Sequence, residues 1–189
     1  MSSYFAQPLA FLVSTLFQLY ILAVMLRFLL GWVRASFYNP VAQFLVKVTN
    51  PPLLPLRRMI PGFFGVDLAA VVLMVALQVV ALWLLALIWS APVTVGSLFA
   101  GALVELVELT FNVFIISIFV QAILSWINPG NYNPVSSMLY SLNEPLLRPA
   151  RRLVPPISGF DLSALVVIIL LQVMKMLVMP LLRQLAALA

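Results

Sequence analysis

Four long apolar stretches, two polar stretches rich in proline and arginine, and one short neutral connector set the pattern of this chain. The apolar stretches cover about residues 8–33, 67–89, 98–127 and 161–182, and each is long enough to cross the hydrocarbon core of a bilayer. Hydrocarbon offers no water to unpaired backbone groups, so such segments must be helices. The pattern therefore predicts an all-α membrane protein with four transmembrane helices. In the polar stretches 34–66 and 128–160 the period changes. Val41, Phe44, Leu45 and Val48 recur at helical spacing, as do Val135, Met138, Leu139 and Leu142, which predicts one short amphipathic helix per loop lying in the membrane interface. Asn39 and Asn133 stand where they cap these helices, with Pro40 and Pro134 as first helical residues, and Pro51 and Pro145 are expected to end them.

The pattern occurs twice. An ungapped shift of about 94 residues lays 27–78 on 121–172 with about 20 of 52 positions identical, more than apolar segments share through composition alone. Trp32 meets Trp126, Tyr38-Asn39-Pro40 meets Tyr132-Asn133-Pro134, and Arg57, Arg58, Gly65 and Asp67 meet Arg151, Arg152, Gly159 and Asp161. The chain divides into a first repeat, 1–94, and a second, 95–189. Each repeat holds two spans, so the copies share one orientation and their pseudo-two-fold axis runs along the membrane normal.

Composition agrees with this reading. Hydrophobic residues make up 65% of the 189, and charged residues 8%, too few to solvate a globule of this size. The opening residues lack the basic start of a cleaved signal, so the first span is expected to be retained. Arg34, Lys47, Arg57 and Arg58 lie in the first polar loop, and Arg148, Arg151 and Arg152 in the second, while the connector 90–97 has no charge. The positive-inside rule puts both loops in the cytoplasm and both termini outside. A net charge of +5 is then a topology signal. Nucleic acid is not an expected partner, because the charge is thin and no reading module accompanies it.

Three readings of the arginines stay open: they enforce topology, bind anionic lipid headgroups, or dock a protein partner. Asp67 and Asp161 read as caps of the second span in each repeat, with a proton or cation site as the sharper alternative.

Polar residues inside the spans are costly without partners. Counting depth at about 1.5 Å per residue places Gln18, Gln78, Asn112 and Gln172 in one layer, either as interhelical hydrogen-bond glue or as a polar pathway for an ion. The same count predicts two ion pairs between the third and fourth spans, Glu108 with Lys175 and Glu105 with Arg183. Arg27, near the inner end of the first span, has Asp67 as a candidate partner or else snorkels.

Catalysis finds little support. The chain has no His and no Cys, which removes the imidazole base, the thiolate nucleophile and the usual ligands of zinc, haem and iron–sulfur clusters. No phosphate-cradling glycine motif is present, and Met174, Met176 and Met179 read as packing residues, so no cofactor or metal is expected.

Trp followed by Tyr-Asn-Pro, then Asn-Glu-Pro-Leu-Leu-Arg-Pro-Ala-Arg-Arg-Leu-Val-Pro-Pro at 143–156 and Ser-Gly-Phe-Asp-Leu-Ser at 158–163, resembles the signature of the YggT family in its duplicated proteobacterial form. The first repeat departs from that signature at Asn50-Pro51-Pro52 and at 62–65. The resemblance implies a bacterial inner-membrane protein linked to osmotic or extracytoplasmic stress tolerance. Plastid relatives are associated with assembly of a haem-bearing cytochrome complex, and some Gram-positive relatives sit beside cell-division proteins. No catalytic residues transfer. Organisation or assembly of membrane complexes is the expected role, with anionic lipids and a membrane or cytoplasmic protein as partners. The competing class is an ion channel or transporter, potassium included, which in so narrow a bundle would require a homo-oligomer.

Overall fold

The computed structural model describes residues 3–63, 65–127, 133–153 and 162–189, apart from the side chains of Ser3, Tyr4 and Trp126. Six helices follow in order: α1 (Ser3–Trp32), α2 (Pro40–Met59), α3 (Leu68–Trp89), α4 (Val95–Ile127), α5 (Pro134–Leu153) and α6 (Ser163–Ala186). Among the described residues there is no β-ladder, only one isolated bridge between Phe63 and Val66. Helices α1, α3, α4 and α6 are long and apolar enough to cross a membrane, which makes this a multi-pass membrane protein.

The spans stand in chain order. α1 packs on α3, α3 on α4 and α4 on α6; α1 barely meets α4, and α6 forms the far edge. The turn between α3 and α4 is tight because Ser90 adopts φ 53° as it leaves α3, and because Thr94 and Ser97 cap α4 reciprocally, each hydroxyl accepting the other's backbone N–H at 3.0 and 3.1 Å. Gly101 lets α4 approach α3 closely: a Cβ there would lie 3.3 Å from Leu82.

Helices α2 and α5 cross one end of this row, each bound to its own pair of spans and to each other. Asn39 Oδ1 accepts the Val41 N–H at 2.8 Å and Asn133 Oδ1 accepts that of Val135 at 2.9 Å, beside prolines that have no N–H to satisfy. Asn39 Nδ2 also donates to the Pro134 carbonyl, so the two helix starts touch.

Both helices outrun their expected ends. α2 continues through Pro51, Pro52 and Pro55 to Met59, and α5 through Pro145 and Pro149 to Leu153. A proline in a helix removes the bond to the carbonyl four residues back. Pro52 thereby frees the carbonyl of Val48, and the Tyr20 hydroxyl of α1 donates to it at 3.2 Å. Tertiary contact replaces the missing helical bond. The buried faces also differ from the expected ones: Ala42, Leu45, Thr49 and Leu53 in α2, and Leu139, Leu142, Asn143 and Leu147 in α5, while Phe44 points outward. These faces are occupied by the protein's own spans. Leu45, Leu53 and Leu142 join Ile21, Leu29 and Leu73 in the main core, and Leu147 joins Ile118 and Val167 in a smaller one.

Candidate functional site

Two polar regions stand out from the apolar bundle. The first is a cleft of about 440 Å³ among α1, α3 and α4, lined by Gln18, Gln78, Glu105, Glu108 and Asn112 with apolar neighbours. Three members of the expected amide layer thus share one cavity. Gln172 does not: it is exposed on the outer side of α6. Depth along a helix is read by counting, but direction around it depends on which neighbour packs there, and α6 has a neighbouring span on one side only.

Glu108 is the hub of the charges. The Lys175 ammonium lies 3.0 Å from its Oε1 and donates to Asn112 Oδ1 at 2.8 Å, and Arg183 donates to its Oε2 at 2.7 Å. The structure therefore brings Glu108 and Lys175 together but corrects the pairing of Glu105 with Arg183. Glu105 precedes Glu108 by three residues, which turns its side chain about 60° around the helix. It faces Gln78, whose Nε2 lies 3.4 Å from its Oε2. Arg183 bends inward and shares the inner carboxylate with Lys175.

The second region is the base, where α2 and α5 meet the spans. Arg27 is 6% exposed and donates from Nη1 to Thr49 Oγ1 at 2.7 Å and to the Val46 carbonyl at 3.3 Å. Arg57, rather than Arg27, takes Asp67 as its ion-pair partner, with Nε 3.2 Å from Oδ2. Asp67 is also the N-cap of α3, its Oδ1 accepting the Ala70 N–H at 3.3 Å. In the other half the buried side chains of Gln121 and Asn143 hydrogen-bond at 2.8 Å, and Ser117 donates to Asn143 at 2.7 Å. Arg151 pairs with Glu144 at 3.1 Å. Asp161 lies outside the described residues. Arg58, Arg148 and Arg152 are exposed and make no ion pair among the described residues.

Sequence reasoning missed Thr49, Ser117, Gln121 and Asn143. Most of the signal was available. The 94-residue shift sets Arg27 on Gln121 and Thr49 on Asn143, so a polar pair between span and surface helix recurs in both copies with its chemistry changed.

No group of three or more acidic side chains among the described residues is placed to hold a metal ion. What the two regions offer is fixed charge and hydrogen-bonding capacity at the base, and a carboxylate-lined cleft among the spans.

The family described as CCB3/YggT matches residues 6–88 and again 100–182, the second match beginning and ending 94 residues after the first. The chain belongs to the CCB3/YggT family. It is 41% identical over 170 residues to an uncharacterised protein of Pseudomonas aeruginosa, covering 89% of this chain and 86% of that one. An uncharacterised protein of Vibrio alginolyticus is 42% identical over 167 residues, covering 87% and 89% of the two chains. The uncharacterised protein YggT of Escherichia coli K12 is 37% identical over 169 residues, covering 89% and 87%. No solved structure gives a significant match. Apart from Arg183, both polar regions fall within the stretches matched by the CCB3/YggT family, from Gln18 and Arg27 in the first to Lys175 in the second.

Proposed function

We propose that this CCB3/YggT chain is a non-enzymatic protein of the bacterial inner membrane that organises membrane complexes or assists their assembly, and that its physiological role is tolerance of osmotic or extracytoplasmic stress. The observation that carries the reading is the built base: two surface helices pinned to their spans by buried polar bonds, with Arg58, Arg148 and Arg152 exposed and without an ion pair among the described residues. Flexible loops would serve as topology signals equally well. Buried hydrogen bonds that hold two arginine-bearing helices in place favour a surface meant to be recognised. By the positive-inside rule this face is cytoplasmic and both termini are periplasmic. Anionic headgroups and a membrane or cytoplasmic protein are the partners that suit it, and the amphipathic character of α2 and α5 sets them at headgroup level.

The test is complementation of a deletion strain under hyperosmotic shock. Arg58→Gln/Arg148→Gln/Arg152→Gln should abolish growth rescue while leaving the amount of inserted protein unchanged, and Gln78→Leu should rescue fully. Full rescue by the triple variant would sink the organising role.

A second reading, an oligomeric conductor of potassium or another small cation, draws on the cleft with Glu105 and Glu108 on its wall. Potassium flux into liposomes separates the two. Flux by the folded protein that Gln78→Leu and Glu105→Gln alter would replace the first reading with the second.

A further inference from the structure

At the base a cavity of about 280 Å³ opens between the end of α1, the length of α2 and the residues leading into α3. Arg27, Gly31, Arg57 and Asp67 lie on it, and Phe28 and Trp32 wall it with aromatic rings. Arg27 is buried, yet both of its hydrogen bonds leave from Nη1. Its Nε and Nη2 have no partner among the described residues, and no described buried side-chain nitrogen is both sealed from solvent and unpaired, so these donors reach the cavity. Asp67 is engaged by Arg57 and by the α3 backbone. A buried guanidinium without a carboxylate is an expensive arrangement to keep.

The second half of the chain carries a different polar pair at this place. Its pocket there is lined by Gln121, Ser125, Tyr140 and Arg151, which stand 94 residues after Arg27, Gly31, Val46 and Arg57. There Gln121 satisfies itself on Asn143 with no charge to balance. A neutral amide thus stands where the first half buries a cation. Among the described residues the charges of the first-half cavity are two guanidinium groups against one carboxylate.

We propose that the cavity of the first half binds one phosphate group, held by Arg27 through Nε and Nη2 and by Arg57 at the rim. The forked guanidinium matches phosphate oxygens in a bidentate fashion. One surplus positive charge suits a singly charged phosphodiester better than a doubly charged monoester, and the aromatic walls suit the glycerol portion of a phospholipid. Lipid headgroup and soluble phosphate ester present the same oxygens, so the two sources must be separated by experiment. The inference does not depend on the organising role.

The full chain with Trp83→Phe/Trp89→Phe/Trp126→Phe keeps Trp32 as its single indole, on the cavity wall. In detergent it is titrated with phosphatidylglycerol, phosphatidylcholine and glycerol 3-phosphate, and Trp32 fluorescence is followed. A saturable change with phosphatidylglycerol is expected, at least about tenfold weaker in Arg27→Gln/Thr49→Asn, which installs the pair of the second half, and unchanged in Lys47→Gln, an exposed cation off the cavity. The same arginine dependence with glycerol 3-phosphate alone would support the site and assign it to soluble esters. Equal binding by the Arg27→Gln/Thr49→Asn variant, or no saturation by any ligand, would overturn it. Should that variant lose its helical circular dichroism, Arg57→Gln compared with Lys47→Gln decides, since Arg57 lines the cavity and Lys47 does not.

Discussion

Glu108 shows how one residue governs a junction between spans. It answers Lys175 and Arg183 together, so its removal strands two cations where hydrocarbon surrounds the helices. Glu108→Gln should lower stability by about 2 kcal/mol in thermal or denaturant unfolding, whereas Glu105→Gln, which loses only a long contact to Gln78, should cost under about 0.6 kcal/mol. Equal losses in the two variants would show that Arg183 divides itself between the carboxylates. The outcome also marks what counting residues can reveal. Depth along the helix axis placed Glu108 level with Lys175, but it carried no information on the 60° turn that directs Glu105 to α3. Arg27 failed to match Asp67 for a related reason: Arg57, ten residues before the carboxylate, reaches it first.

At the scale of elements, the surface helices α2 and α5 were legible as helices and misjudged in length. Proline was read as a stop because a local rule treats the freed carbonyl as a loss, yet Tyr20 of α1 supplies the replacement donor. Tyr20→Phe should therefore loosen the second half of α2, costing about 1 kcal/mol and raising amide exchange at Leu53, Leu54 and Leu56 while α5 is unaffected. Unchanged exchange would mean that packing alone carries the helix through its prolines. The matching change in α5 is Asn143→Leu, which unpairs Gln121 and leaves Ser117 only the Phe114 carbonyl of its own helix. Buried unsatisfied groups cost about 1–3 kcal/mol, and unfolding should report a loss in that range. The caps at Asn39, Asn133 and Asp67 were readable because capping is local, a side chain meeting N–H groups two or three residues on.

For the whole molecule, the repeat made the division into spans and surface helices plain, but not how the halves meet. Apolar faces look alike in sequence, and nothing in them says that α3 packs on α4 while α6 is left at the edge. That placement has a consequence for dynamics. Only 11% of the most apolar window of α6 is buried within the protein, against 22–28% for the other three spans, and its two charged side chains converge on Glu108 and its neighbour Asn112. Local opening follows the density of such contacts. In detergent, α6 should exchange its amides faster than α3, and Glu108→Gln should widen the difference by roughly tenfold, a loss of about 1.4 kcal/mol in local stability. Hydrogen exchange read by mass spectrometry checks this span by span. Were α6 protected as well as α3, its exposed face would have to be covered by something beyond the single chain, and a self-associated state would follow; cross-linking through Leu177→Cys on that outer face, in a chain with no cysteine of its own, would then capture it.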